Sequence, residues 1–264
     1  MSSAISVLKL GGSVLRDDRS YAEAARFLQT RLALNQDERL AVIVSAQYGT
    51  TDSLLAEAQT IANDPSPLTL DLLWSTGELR SVAVLALHLQ KIGVSAVPFN
   101  VHQAGLVADR ATGTSVRPSR LIAALAHARV VIVPGFLGVS ADGAITSLGR
   151  GGSDLTAALL AIAIRADACE LIKDVAGYYT ADPHRDAAAR PIQHLSAADA
   201  LRLADQGCDL VQRGALVAAA EAGLHLVVRS MDADAPVTHV YGNERTANHG
   251  ICDQDDSRGT AVGA

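Results

Sequence analysis

Residues 148–177 read LGRGGSDLTAALLAIAIRADACELIKDVAG. Glycines 149, 151 and 152 surround Arg150 and lead into an Ala/Leu-rich run that predicts a helix over Gly152–Arg165. An apolar strand is expected over Asp167–Ile172, and Lys173-Asp174 opens a loop at its end. A glycine turn, a helix and a short apolar strand in that order form the repeating unit of a parallel α/β sheet. The same alternation extends in both directions. Further strands are expected at Ser6–Leu10, Leu40–Ser45, Val94–Phe99, Val130–Pro134 and Leu224–Arg229. Helices are expected at Tyr21–Leu34, Leu68–Ile92, Ser196–Asp205 and Leu210–Ala222. Strands that are apolar at every position are buried on both faces, so the sheet is expected to be mostly parallel and covered by helices on each side. Which α/β arrangement it is, the pattern leaves open.

The composition narrows the function. The chain has 264 residues, 49% hydrophobic and 19% charged, which excludes global disorder and suffices for a full core. A net charge of −6 argues against a broad basic face for nucleic acid, and 3% aromatic residues argue against base-stacking platforms. The 3 cysteines, Cys169, Cys208 and Cys252, are widely spaced and support neither a disulfide framework nor a zinc knuckle. The N-terminus MSSAISVLKLGGS has no basic region followed by a long apolar stretch. Apolar windows such as Ala157–Ile164 are far shorter than the about 20 residues a bilayer span needs. A soluble cytoplasmic protein is therefore expected, with Asn243–Ala264 as a polar, loosely held tail.

Four stretches suit anion chemistry. Lys9-Leu10-Gly11-Gly12-Ser13 directly follows a strand. Its glycines let backbone N–H groups approach an anion, with Lys9 as a point charge, although a tight strand-to-helix turn explains the glycines equally. Gly149-Arg150-Gly151-Gly152-Ser153-Asp154 places a guanidinium and a Ser-Asp pair at a helix N-terminus. Arg150 is suited to clamp a carboxylate, and Asp154 either belongs to that site or caps the helix. In Lys173–Pro183, Asp174 and Asp182 offer hard oxygen ligands or acceptors for nucleoside hydroxyls, and a tyrosine could cover a nucleoside. An ordinary connection between elements is the alternative. Ser75-Thr76-Gly77-Glu78 interrupts a long helix with a glycine, which costs about 1 kcal/mol relative to alanine. Glu78 is then either a solvated side chain or an ammonium-binding carboxylate presented at a helix start. Lys9, Lys91 and Lys173 are the only lysines, and two of them fall in these motifs. Together the features suit phosphoryl transfer from a nucleotide to a small anionic acceptor, chemistry that rests on positioning and charge neutralisation.

KLGGS, SAQYGTTDSLL, STGELRS, PGFLG, TSLGRGGSDLTAALLA and KDVAGYYTADP occur in the order found in the aspartokinases of the amino acid kinase superfamily. The chain resembles that family from about Val7 to Ser230. The resemblance implies a three-layer αβα sandwich around a central, mostly parallel sheet of about eight strands. Residues of about 1–165 would bind the amino acid and about 166–240 would bind ATP. The implied reaction moves the γ-phosphoryl group of ATP, with Mg²⁺, to the side-chain carboxylate of aspartate. Lys9 would neutralise the moving group, Gly11, Gly12 and Ser13 would hold phosphate oxygens, and Asp154 would orient the lysines. Thr51, Glu78, Phe136, Arg150 and Ser153 would contact the amino acid, Arg150 at its α-carboxylate and Glu78 at its ammonium group. Asp174, Tyr179 and Asp182 would line the nucleotide pocket, with Arg185 beside them. A homo-oligomer, a dimer or larger, is implied.

The sequence departs from the family at three points. Lys173-Asp174 stands where the family has Thr-Asp, and Asp182-Pro183-His184 displaces an arginine to Arg185. Gly207–Arg213 carries Asp209 where a lysine is expected to assist ATP. Lys173 is expected to supply the charge that position 209 lacks, because Asp209 facing a triphosphate would be unfavourable; the alternative is that Asp209 holds a metal ion or points away. No counterpart of the family's regulatory ACT domains is expected, nor feedback control through them. A kinase of another carboxylate, or a nucleotide-binding protein of this fold without catalysis, are the competing expectations.

Overall fold

The structure, a computed structural model, describes residues 4–109, 113–149, 151–183 and 185–242. Arg150, His184 and the 243–264 tail, with the roles expected for them, lie outside the described residues. The chain runs β1 (Ile5–Leu10), α1 (Asp18–Leu34), β2 (Arg39–Val44), α2 (Thr50–Ile61), α3 (Pro67–Lys91), β3 (Ala96–Pro98), α4 (Val101–Ala104), β4 (Leu106–Asp109), β5 (Gly113–Val116) and α5 (Ser119–His127). It continues β6 (Val130–Pro134), β7 (Leu137–Val139), β8 (Ile145–Ser147), α6 (Gly152–Ile164), β9 (Ala168–Ile172), β10 (His194–Ser196), α7 (Ala197–Asp205), α8 (Arg213–Ala222), β11 (Leu226–Arg229) and β12 (Thr238–Tyr241).

The main sheet has eight strands in the order β10-β12-β11-β9-β1-β2-β6-β3, all parallel except the β11–β12 pair. Alternation along the strands divides the core. Val7, Ala41, Ile43, Val131, Val133, Cys169 and Leu171 pack with α5, α6, α7 and α8. Leu8, Leu10, Leu40, Val42, Val44 and Ile132 pack with α1 and α3. Two buried faces explain why these strands carry no polar alternation. The expected αβα layering is present, with the sheet at its centre.

Local chemistry sets the helix ends. Asp17 and Ser20 form a reciprocal capping box at the start of α1. Ser66 accepts from the Thr69 N–H, and Pro67 occupies the first helical position of α3. The N-termini of α2 and α6 differ: Gly49 and Gly151, both at positive φ, occupy the cap positions, and no side chain caps either helix. Asp154 therefore does not cap α6.

Several features depart from the sequence reading, and α5, β10 and β12 are not among the expected elements. Residues 50–61 form α2, and β5-β4-β7-β8 form a second, four-stranded sheet. Strands of three or four residues are too short to show a period in sequence. The expected helix at Leu210–Ala222 starts only at Arg213, because Gln212 N-caps it by accepting from the Ala215 N–H.

Candidate active site

The parallel strands β1, β2, β6 and β9 end on the same edge of the sheet, and their following loops converge there. After β1 the chain turns through Gly11-Gly12-Ser13, with the Gly11 carbonyl accepting from the N–H groups of Val14 and Leu15. After β6 it enters Gly135-Phe136, and after β9 it reaches Lys173. Helix α6 brings its first turn, Gly152-Ser153-Asp154, to the same edge.

Asp154 is the centre of the cluster. Lys9 Nζ lies 2.9 Å from its Oδ1, and Lys173 Nζ donates to its Oδ2 at 2.8 Å. The Gln212 N–H donates to the same Oδ2 at 3.1 Å. Lys9 is 7% exposed and Asp154 only 3%. Burial alone would raise the Asp154 pKa, but the two lysines outweigh it and hold the carboxyl at about 2. Burial and the neighbouring Lys9 charge lower the Lys173 pKa, while Asp154 opposes them. Two ammonium groups against one carboxylate leave one net positive charge, which suits an anion.

A cleft of about 590 Å³ opens from this cluster. Lys9, Gly12, Ser13, Thr51, Glu78, Phe136 and Ser153, all expected site residues, line it together. Both uncapped helix N-termini border it at Gly49 and Gly151, and their dipoles favour negative charge. Thr51 sits in the first turn of α2. The Ser45 hydroxyl donates to Ser153 Oγ at 3.0 Å. Phe136 holds a positive φ of 68°, with its N–H bonded to Thr156 Oγ1 and its carbonyl to the Leu148 N–H. For a bulky side chain that conformation costs about 1–3 kcal/mol and persists only where the surroundings fix it.

Glu78 lies in the middle of α3, not at a helix start as the sequence suggested, and is 3% exposed. Burial raises its pKa to about 8, against the lowering effects of the Ala46 N–H and the Lys9 charge. The solvated alternative for Glu78 is thereby excluded. Among the described residues its Oε2 has no hydrogen-bond partner.

Of the residues expected at the nucleotide, Gly12 and Ser13 line this cleft, whereas Asp174, Tyr179, Asp182 and Arg185 lie on the segment after β9, outside its lining. Asp174 accepts from Ser13 Oγ at 3.0 Å and pairs with Arg16 at 3.3 Å, which closes that loop onto the glycine turn. Tyr179 forms an isolated bridge with Pro191. Arg185 pairs with Asp182 at 3.4 Å on the surface. Asp209 is exposed, in the turn that carries Gln212 to Asp154. Sequence reasoning missed Trp74, Tyr48, Ser45 and Gln212. Only Trp74 had a readable signal, since it lies four residues before Glu78 and so shares its helix face.

Size alone does not select this cleft. A larger cavity of about 760 Å³ beside α1 is lined by Phe27, Arg31, Glu170 and Arg229, but it has neither a glycine turn nor a lysine.

Comparison with known proteins gives the family. An aspartokinase from Thermus thermophilus is 38% identical over 242 residues, a match that covers 90% of this chain and 59% of the relative. The chain thus spans little more than half the length of that relative. The crystal structure of aspartate kinase from Synechocystis superposes with a TM-score of 0.80 at 34% identity, covering 90% of this chain and 40% of that one. E. coli aspartokinase III, solved with aspartate and ADP, superposes with a TM-score of 0.77 at 26% identity over 90% of this chain and 64% of its own. The amino acid kinase family model matches residues 4–230. With that match over most of its length, the chain belongs to the amino acid kinase family.

Proposed function

We propose that the chain phosphorylates the side-chain carboxylate of aspartate with ATP, giving an acyl phosphate and ADP. The observation that carries this reading is one cleft lined both by Lys9, which shares Asp154 with Lys173, and by the buried Glu78 carboxyl. The similarity to aspartokinases supports the acceptor.

In this reading an oxygen of the acceptor carboxylate attacks the γ-phosphorus as the bond to the ADP oxygen breaks. The carboxylate is already deprotonated, so no general base is required. Asp154, committed to two lysines, serves to aim them. Lys9 and Lys173 neutralise charge that develops on the transferred group. Lys173 thereby replaces the charge absent at Asp209. Gly11, Gly12 and Ser13 hold phosphate oxygens through backbone N–H groups and a hydroxyl. Thr51, Glu78, Phe136, Arg150 and Ser153 take the amino acid. Asp174, Tyr179, Asp182 and Arg185 belong to the nucleotide pocket. When bound, Mg²⁺ supplies further neutralisation of the phosphates. Asp174, tied to the glycine turn through Ser13, is a hard oxygen donor of the kind Mg²⁺ takes. Residues of about 1–165 would then carry the amino acid and about 166–240 the nucleotide.

The direct test is incubation with ATP, Mg²⁺ and a panel of acidic amino acids, with hydroxylamine present to trap an acyl phosphate. Aspartyl hydroxamate and ADP are expected in equal amounts. No hydroxamate with any acidic amino acid at millimolar concentration rejects the reading. A homodimer in the cytoplasm completes the proposal on the family resemblance, and light scattering and cell fractionation check it. Among the described residues no helix is long and apolar enough to cross a membrane.

A further inference from the structure

Two buried polar atoms of the cleft have no hydrogen-bond partner among the described residues. One is Glu78 Oε2, an acceptor when ionised, and the other is Trp74 Nε1, a donor only. Both side chains line the cleft. They are four residues apart on α3, so they share one face about one turn apart. An unmet buried donor is costly, of the order of a lost hydrogen bond, and calls for an explanation. Packing alone does not provide one: the indole is fixed edge-on against Phe136, with ring centroids 5.9 Å apart, yet among the described residues its N–H has no acceptor.

A donor and an acceptor side by side complement a zwitterion, whose carboxylate accepts and whose ammonium donates. We propose that Trp74 is a substrate-binding residue whose indole N–H donates to the α-carboxylate of the bound amino acid, beside the ammonium group held by Glu78. This rests on the reading of the cleft as the amino-acid site and names how that site tells an α-amino acid from other carboxylates. Phe136 relays the contact. Its ring packs against Trp74 on one side, and a Cβ built on Gly152 would lie 3.2 Å from its Cδ2 on the other. The glycine turn of α6 and the indole are therefore held in one stack.

Trp74 is the one tryptophan of the chain, so its emission reports on this position alone. L-Aspartate is expected to change that emission saturably. β-Alanine, which keeps the ammonium and the acceptor carboxylate but lacks the α-carboxylate, is expected to leave it unchanged at matched occupancy. Trp74→Phe keeps an aromatic ring against Phe136 and removes the donor. It should raise the KM for aspartate about tenfold, as for a lost hydrogen bond to a charged group, with kcat within about twofold. Calorimetry should find β-alanine binding and ATP binding unchanged in Trp74→Phe. Equal weakening of aspartate and β-alanine, or an unaltered aspartate KM, overturns the proposal. If Trp74→Phe does not fold, the emission of the native protein decides, because no response to aspartate overturns it equally. The underlying reading fails separately. Saturable emission changes with aspartate but no hydroxamate would end the kinase assignment and leave this contact standing. Turnover without either Trp74 effect would do the reverse.

Discussion

Glu78 shows how burial turns a residue's identity into a property. With its pKa raised to about 8 it is mostly protonated at pH 7. An arriving ammonium group favours the ionised form, so binding releases a proton. Affinity for aspartate should rise between pH 6 and 8, by up to about tenfold per unit, and level off above. Calorimetry in buffers of different ionisation enthalpy measures the released proton; an affinity flat over that window sinks the assignment. Stability runs the opposite way. The raised pKa favours folding fully below 4.5, the unperturbed value, and that contribution is lost as pH climbs to about 8. Glu78→Gln should flatten this slope. The sequence named Glu78 but gave no sign of its burial, because helix α3 is apolar or small on several sides and its exposed face cannot be read from period alone.

At the scale of the element, α3 answers why Gly77 interrupts a helix that is otherwise well formed. A Cβ there would lie 2.9 Å from Thr50 Cγ2 and 3.2 Å from Ala46 Cβ. Neither contact is the far end of a flexible chain. Alanine would gain about 1 kcal/mol of helix propensity and incur about 1–3 kcal/mol of overpacking. The second effect wins, so Gly77→Ala should destabilise the fold by about 1 kcal/mol. It should also raise the KM for the amino acid, because Thr51 follows the displaced Thr50 into the cleft. Thermal unfolding and steady-state kinetics check this, and a more stable Gly77→Ala protein refutes it. The long helices and buried strands were legible because each carries a sustained period. The second sheet was not, because its strands of three or four residues owe their form to neighbours distant in sequence.

Across the whole molecule, Asp154 joins parts of the chain that are far apart in sequence. Position 9 on β1, position 173 after β9 and position 212 before α8 all meet its carboxylate. Asp154→Asn would leave two ammonium groups buried without a counter-charge. Removing one partner of a buried ion pair typically costs about 3–5 kcal/mol. Denaturant unfolding should show a loss of that order, and hydroxamate formation should fall with it. An unchanged unfolding midpoint would mean that the cluster does not tie the two halves of the sheet. The Asp154 contribution is present at neutral pH and is lost only as pH falls from the ordinary carboxyl range through about 2.

The alternation of the long helices with the central strands, the parallel sheet and the loops that carry lysine and glycine follow from the sequence itself, because period and turn chemistry are local properties of neighbouring residues. The partners of Asp154, the burial of Glu78, the unmet indole of Trp74 and the uncapped starts of α2 and α6 were decided by tertiary structure. Each depends on which distant surfaces the sheet brings within about 3 Å, the reach of a hydrogen bond, and no local pattern encodes that distance.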